Sequence, residues 1–275
     1  MIACIHLIPA YRLTALLMVM AVIIPGGAAA AQPFDHTYAG YESVLKSYVA
    51  DGRVSYGDLK KFPEKLTSFL NSAAQVPEEH LRSWPAAEQL AFLINLYNAS
   101  TLQLIIDHYP VKSIKDIGGF FKGPWSLKIV RLFGDTITLD NLEHGIIRKR
   151  YNEPRIHMAL VCAARSCPPL RSEAYVAGKL DNQLNDQSRR FLSSPAGLVI
   201  DPPAKMVYFS SIFKWYGKDF VGRFSPKDGF KGLDETERAV ANFVGAYTAP
   251  AQQAFLSAGG YSIRYIDYDW SLNSK

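Results

Sequence analysis

Cysteine is scarce: the 275 residues contain three, and no two stand in C-x2-C spacing. No H-x3-H pair occurs either, so the sequence gives no sign of a zinc site, and no metal is expected. There is no glycine-rich phosphate loop, no dinucleotide fingerprint and no nucleophile elbow, and no cofactor is expected. Lys and Arg form no run long enough to suggest nucleic acid, which is excluded as a partner. Repeats and low-complexity stretches are absent. Beyond residue 31 no segment is apolar enough to read as a membrane span, so none is expected once a signal is removed.

The N-terminal stretch has the pattern of a cleavable secretory signal. Arg12 precedes the apolar run Leu13–Ile24, Pro25-Gly26-Gly27 breaks it, and Ala29-Ala30-Ala31 fits the small-residue cleavage rule. Residues 1–31 are therefore expected to be removed, with Cys4 among them, and the protein to be exported to a periplasmic or extracellular location. Arg12 is the only charge in that segment, so the remaining chain carries one positive charge fewer than the formal +5. Such a mild surplus permits contact with anionic surfaces without arguing for it.

The most informative stretch is Ser83–Pro110. Ser83 is a plausible N-cap, Pro85 suits a first turn, and Pro110 stops a helix. Apolar residues from Leu90 to Ile106 go right round the cylinder, which predicts a helix buried on all sides. Asn95 and Asn98 lie about 60° apart on it. Buried amides must hold other polar groups, so these two are expected to fasten neighbouring segments, with an oxyanion-donor role as the alternative.

Residues 32–80 read as a helical lead-in, and residues 81–275 as one α+β domain built on the long helix and a mixed or antiparallel sheet. Leu127–Phe133 and Thr136–Leu139 flank Gly134-Asp135 as a hairpin. Thr138 caps a helix running to about Arg150. Leu139, Leu142 and Ile146 set its apolar face, with Glu143 beside them and His144 and Arg148 on the other side. A core-facing acid is unusual unless paired, so Glu143 is either a structural acceptor or a catalytic group. Arg155–Cys162 reads as a central strand, which puts His157 and Cys162 on opposite faces and disfavours a dyad between them. Cys162 and Cys167 either close a small disulfide loop or leave one reactive thiol.

Five blocks occur in order: LAFLINLYNA (Leu90–Ala99), TLDNLEHGIIR (Thr138–Arg148), RIHMALVCAARSCPPL (Arg155–Leu170), IFKWYGKDF (Ile212–Phe220) and YIDYDWSLN (Tyr265–Asn273). Together they resemble the family known as domain of unknown function 547, whose bacterial members commonly carry export signals. The resemblance implies no activity. It sets Asn95, Tyr97 and Asn98 on the family's polar helix positions, Glu143 and His144 on its acid–histidine pair, Arg148 on the basic residue that follows, and Cys162, Cys167 and Pro168 on its Cys/Pro loop. Leu93 departs from it, standing where a bulkier aromatic is usual.

Two functions fit these residues. One is a binding module of the cell envelope, with a surface of Phe120, Phe121, Trp125, Trp215 and Tyr216 for a peptide, glycan or envelope protein, although Trp215 reads more naturally as core. The other is a thiol-dependent hydrolase or acyl transferase with a rearranged site of Cys162 or Cys167, His144 or His157, and Glu143.

Overall fold

A computed structural model describes residues 34–119 and 122–275. The signal-like residues 1–31 and the aromatic pair Phe120 and Phe121 lie outside that description.

The long helix is present as Ala86–His108, with every residue from Leu90 to Leu102 buried. Burial on all faces follows from its apolar surface, and Pro110 prevents its continuation. Its start differs from expectation. Ser83 ends a separate short helix, Glu78–Ser83, and its hydroxyl donates to the His80 carbonyl at 2.7 Å. Trp84, preceding a proline, is extended and separates the two helices, leaving Pro85 as the N-cap.

Around this helix a first core gathers the N-terminal helices Ala39–Tyr48, Tyr56–Lys61 and Glu64–Ala74. It also takes in the antiparallel hairpin Lys128–Leu132 with Asp135–Thr138. Phe133 and Gly134 turn that hairpin with φ of 57° and 78°, the left-handed pair such a two-residue turn requires.

A second core holds Phe191, Phe209, Phe213, Phe220 and Phe243. It is built on a three-stranded sheet, in which Leu198–Asp201 pairs antiparallel with Met206–Ser210 and the latter pairs parallel with Ser262–Ile266. The helices Ser211–Tyr216, Lys218–Phe224 and Glu235–Ala246 contribute to it, the last with a capping box from Asp234 and Glu237. The architecture is thus mixed α+β with small sheets. The long helix packs on the antiparallel hairpin, and the mixed sheet serves the second core.

Arg155–Val161 is buried and Cys162 half-buried, but the stretch is not a strand. Pro154–Met158 winds as a 3-10 helix, with the Glu153 side chain accepting from the Arg155 amide at 3.2 Å, and Ala159 continues in a helical bend. An apolar run bounded by turn residues does not by itself separate a buried strand from other buried backbone. What satisfies this backbone is a side chain. Asn98 Nδ2 donates to the Ala159 carbonyl and Asn98 Oδ1 accepts from the Val161 amide, both at 2.9 Å. Asn95 does the same for Tyr175, donating to its carbonyl at 2.7 Å and accepting from its amide at 3.0 Å. Two carboxamides on one helix therefore replace the hydrogen bonds that neighbouring strands would supply.

Candidate functional site

A cavity of about 270 Å³ lies where residues of both cores meet. Glu143, His144, His157, Cys162 and Cys167 all line it. Because His157 sits on a 3-10 turn and Cys162 in irregular backbone, strand alternation does not hold them apart, and the expected separation of the two is overturned. Asn95 and Asn98 are not among the lining residues, and their amides are occupied by backbone.

The helix that carries Glu143 and His144 is π-wound from Asn141 to Ile147, entered through the Thr138 hydroxyl, which accepts from the Asn141 amide at 2.9 Å. The wider winding changes its inner face. Leu142, Glu143 and Ile147 are buried, whereas Ile146, expected there, is only half-buried. π-turns are rare and concentrate at functional sites. Here the turn carries a carboxyl group into the cavity at a buried position, and His144 beside it is half-buried rather than free on the surface.

Burial pushes the Glu143 carboxyl up to about 7, against the hydrogen bond from Tyr97 and the charge of Arg148. It is therefore divided between its two protonation states near neutral pH and can give or take a proton. Tyr97, reaching the cavity from the long helix, is pushed well above the usual phenol range by its burial and by Glu143.

His144 is lowered by burial and by Arg148. Arg148 Nη1 stands 3.0 Å from His144 Nδ1, and a guanidinium only donates. Nδ1 is therefore the acceptor, and the proton of the neutral ring sits on Nε2. The lone pair a general base would use is already engaged, so His144 presents a donor.

Asp219 ties the second histidine to the first. Its two oxygens take the fork of Arg148, at 2.7 Å from Nε and 2.8 Å from Nη2, and Oδ2 also lies 2.8 Å from His157 Nε2. Burial works to raise the Asp219 carboxyl, but the hydrogen bonds from His157 and Arg148 outweigh it and hold it well below the usual range. His157 is buried, which lowers it in spite of Asp219, so its ring is neutral and donates from Nε2. Tyr216 stacks on that ring at 4.3 Å with 11° between planes, and the Arg148 guanidinium sits 5.1 Å from the Tyr216 ring centroid.

The sulfurs of Cys162 and Cys167 are at disulfide distance. Their hydrogen bonds go to Tyr268, whose hydroxyl is 3.1 Å from Cys167 Sγ and 3.4 Å from Cys162 Sγ, and to the Cys162 amide, 3.0 Å from Cys167 Sγ. A paired sulfur is no nucleophile, so the thiol-enzyme reading needs the reduced form. Among the described residues no group of three or more His, Cys, Asp or Glu side chains converges as a metal shell would.

Besides Tyr97, the aromatic part of the lining comprises Trp125, Trp215, Tyr216, Tyr268 and Trp270. Trp215, expected as core, is 45% exposed, because the helix Ser211–Tyr216 turns Ile212 and Phe213 inward instead. It lies 5.8 Å from Trp270 in a stacked arrangement and 4.9 Å from Tyr268. Asp219 and Tyr268 were visible in the IFKWYGKDF and YIDYDWSLN blocks but gave no signal of their own, since neither shares an element with the residues it touches.

No curated protein and no solved structure matches the chain. Residues 81–192 match the family described as "Protein of unknown function, DUF547". That stretch holds the long helix, the π-turn and both cysteines, while Trp215, Tyr216, Asp219, Tyr268 and Trp270 come from beyond it. Residues 81–192 are thus similar to a DUF547 domain, and to the acid, histidines and paired cysteines of that stretch the later residues add an aromatic wall.

Proposed function

We propose that the protein is an exported binding module of the cell envelope and that this cavity takes one sugar ring of a glycan. The carrying observation is the composition of the lining. Trp125, Trp215, Tyr268 and Trp270 share one small cavity with Glu143, His144 and Asp140. A pyranose has an apolar C–H face that packs on aromatic rings and a rim of hydroxyls that both donate and accept. Glu143 near its midpoint supplies either role, and the Nε2 proton of His144 supplies a donor. At about 270 Å³ the cavity falls just below the usual range for drug-sized ligands, which suits a single ring of a longer chain. The export pattern of residues 1–31 supports an envelope setting.

Tryptophan fluorescence on titration with soluble oligosaccharides tests this. Saturable quenching is expected, weakened about tenfold or more by Trp215→Ala. Saturation by peptides and by no oligosaccharide would turn the reading to peptide recognition, and saturation by neither would end it.

One observation favours a second reading, hydrolysis or acyl transfer: the acid, both histidines and both cysteines line the same cavity. In this reading reduction frees a thiolate in the cavity that Glu143 also lines. Its test is ester or thioester turnover that appears only with reductant and is lost with Cys162→Ser or Cys167→Ser.

A further inference from the structure

We infer that a second cleft, bounded by Arg53, Arg165 and Arg190, is a binding site for a phosphate monoester. It is a cavity of about 530 Å³ on the far side of the cysteine loop, and Cys167 and Pro168 line both cavities. The three arginines come from three distant parts of the chain. Arg53 is in the short strand Arg53–Val54, Arg165 in the loop between the cysteines, and Arg190 near the end of the helix Leu180–Leu192.

Their charges are unbalanced. Arg148, Arg155, Arg171 and Arg223 each hold a carboxylate. Among the described residues the guanidinium groups of Arg53, Arg165 and Arg190 make no ion pair and no side-chain hydrogen bond, and all three side chains are exposed. Like charges brought to one cleft repel unless an anion joins them. One carboxylate, Asp51, shares the lining. Asp269 lies nearby outside it, its carboxyl held low chiefly by Ser271, with Arg165 and Arg53 adding to that. Inside the cleft a surplus of about two positive charges remains, which matches a phosphate monoester near neutral pH. A guanidinium fork also fits two phosphate oxygens at once.

The backbone beneath the arginines is fixed. The Arg165 amide donates to the Ser271 carbonyl at 2.8 Å, and Ala50 pairs with Arg53 across a tight turn. Gly52, at φ 76°, lies so close to Pro169 that a side chain there would collide with it. Arg190 stands on a regular helix. The forks therefore extend from a rigid frame, which lowers the ordering cost of binding.

The test uses the full chain, with two probes at low salt: glycerol 3-phosphate by calorimetry, and phosphatidylcholine vesicles doped with phosphatidic acid by co-sedimentation. Saturable binding of at least one probe is expected, weakened about tenfold or more by Arg165→Gln and abolished by replacing all three arginines with Gln. Arg264→Gln, an exposed arginine on the parallel edge strand, should leave it unchanged. Binding of the soluble ester marks a free phosphorylated ligand, and binding of vesicles alone marks a lipid headgroup. No saturation with either probe overturns the proposal. So does equal weakening by Arg264→Gln, which would mean diffuse surface charge. A melting temperature unchanged in Arg165→Gln separates lost binding from lost fold. Failure here leaves the sugar-ring reading of the first cavity untouched, because that reading depends on none of these arginines.

Discussion

Asn98 holds Val161 as a neighbouring strand would, through a 2.9 Å hydrogen bond from the Val161 amide to its Oδ1, while its Nδ2 reaches the Ala159 carbonyl. Replacing it with leucine keeps the volume and strands two buried backbone groups. We expect Asn98→Leu to lose about 2–4 kcal/mol in urea denaturation, against a few tenths for an exposed change. A midpoint equal to the wild type would show that water or another group satisfies Ala159 and Val161.

Glu143 gives a pH signature of its own. Its folded-state carboxyl is raised to about 7, so between the ordinary glutamate range and pH 7 the folded protein binds more protons than the unfolded chain. Stability from this group therefore falls as pH rises through that window. Glu143→Gln removes the penalty. The variant is expected to gain on the wild type by roughly 2–3 kcal/mol between pH 5 and pH 8. Parallel curves for the two proteins would mean that Glu143 ionises normally.

Asp219 has the opposite sign. Its folded carboxyl is held below the usual range, so its contribution is complete above the ordinary aspartate pKa and is lost as pH falls through the depressed value. Asp219→Asn should cost about 2 kcal/mol near neutrality, between the worth of a surface ion pair and that of a fully buried one. It also frees Arg148 and His157, so the nitrogen chemical shifts of both histidine rings should move. If those shifts stay put, Asp219 does not orient the rings.

Cys162 and Cys167 are expected to resist alkylation in the native protein until reductant is added, as peptide mapping would record. The loop they close is short, so breaking the bond should cost no more than about 2 kcal/mol. Rapid labelling without reductant would favour the thiol-enzyme reading.

The long helix was legible because no surface helix carries apolar residues on every side, and the Asn pair because buried amides demand partners. The hairpin was legible from Gly134, although the turn pair is Phe133-Gly134 rather than the expected Gly134-Asp135, and Asp135 already pairs with Leu132 in the ladder. Arg155–Cys162 was not, since the group that satisfies its backbone is a side chain 61 residues earlier, at Asn98, and periodicity does not register it. The π-turn was hidden for a related reason. It exchanges Ile146 for Ile147 on the inner face, and both are isoleucine. The residues of the cavity were nearly all in the quoted blocks. Their convergence rests on contacts such as Arg148 with Asp219, 71 positions apart, and Tyr268 with Cys167, 101 apart, which no local pattern encodes.

Residues 268–275 cross the molecule to fasten its earliest described hairpin. Asn273 accepts from the Tyr56 hydroxyl at 2.7 Å, donates to the Gly52 carbonyl at 3.2 Å and takes the Val54 amide on its own carbonyl at 3.0 Å. A ribosome therefore releases the clasp after nearly everything it closes upon. Until then the nascent chain has neither Tyr268 beside its sulfurs nor Trp270 in the aromatic wall, so the first cavity stays incomplete before Trp270 has been made, and messages cut short before Tyr268 should yield chains in which that wall never forms.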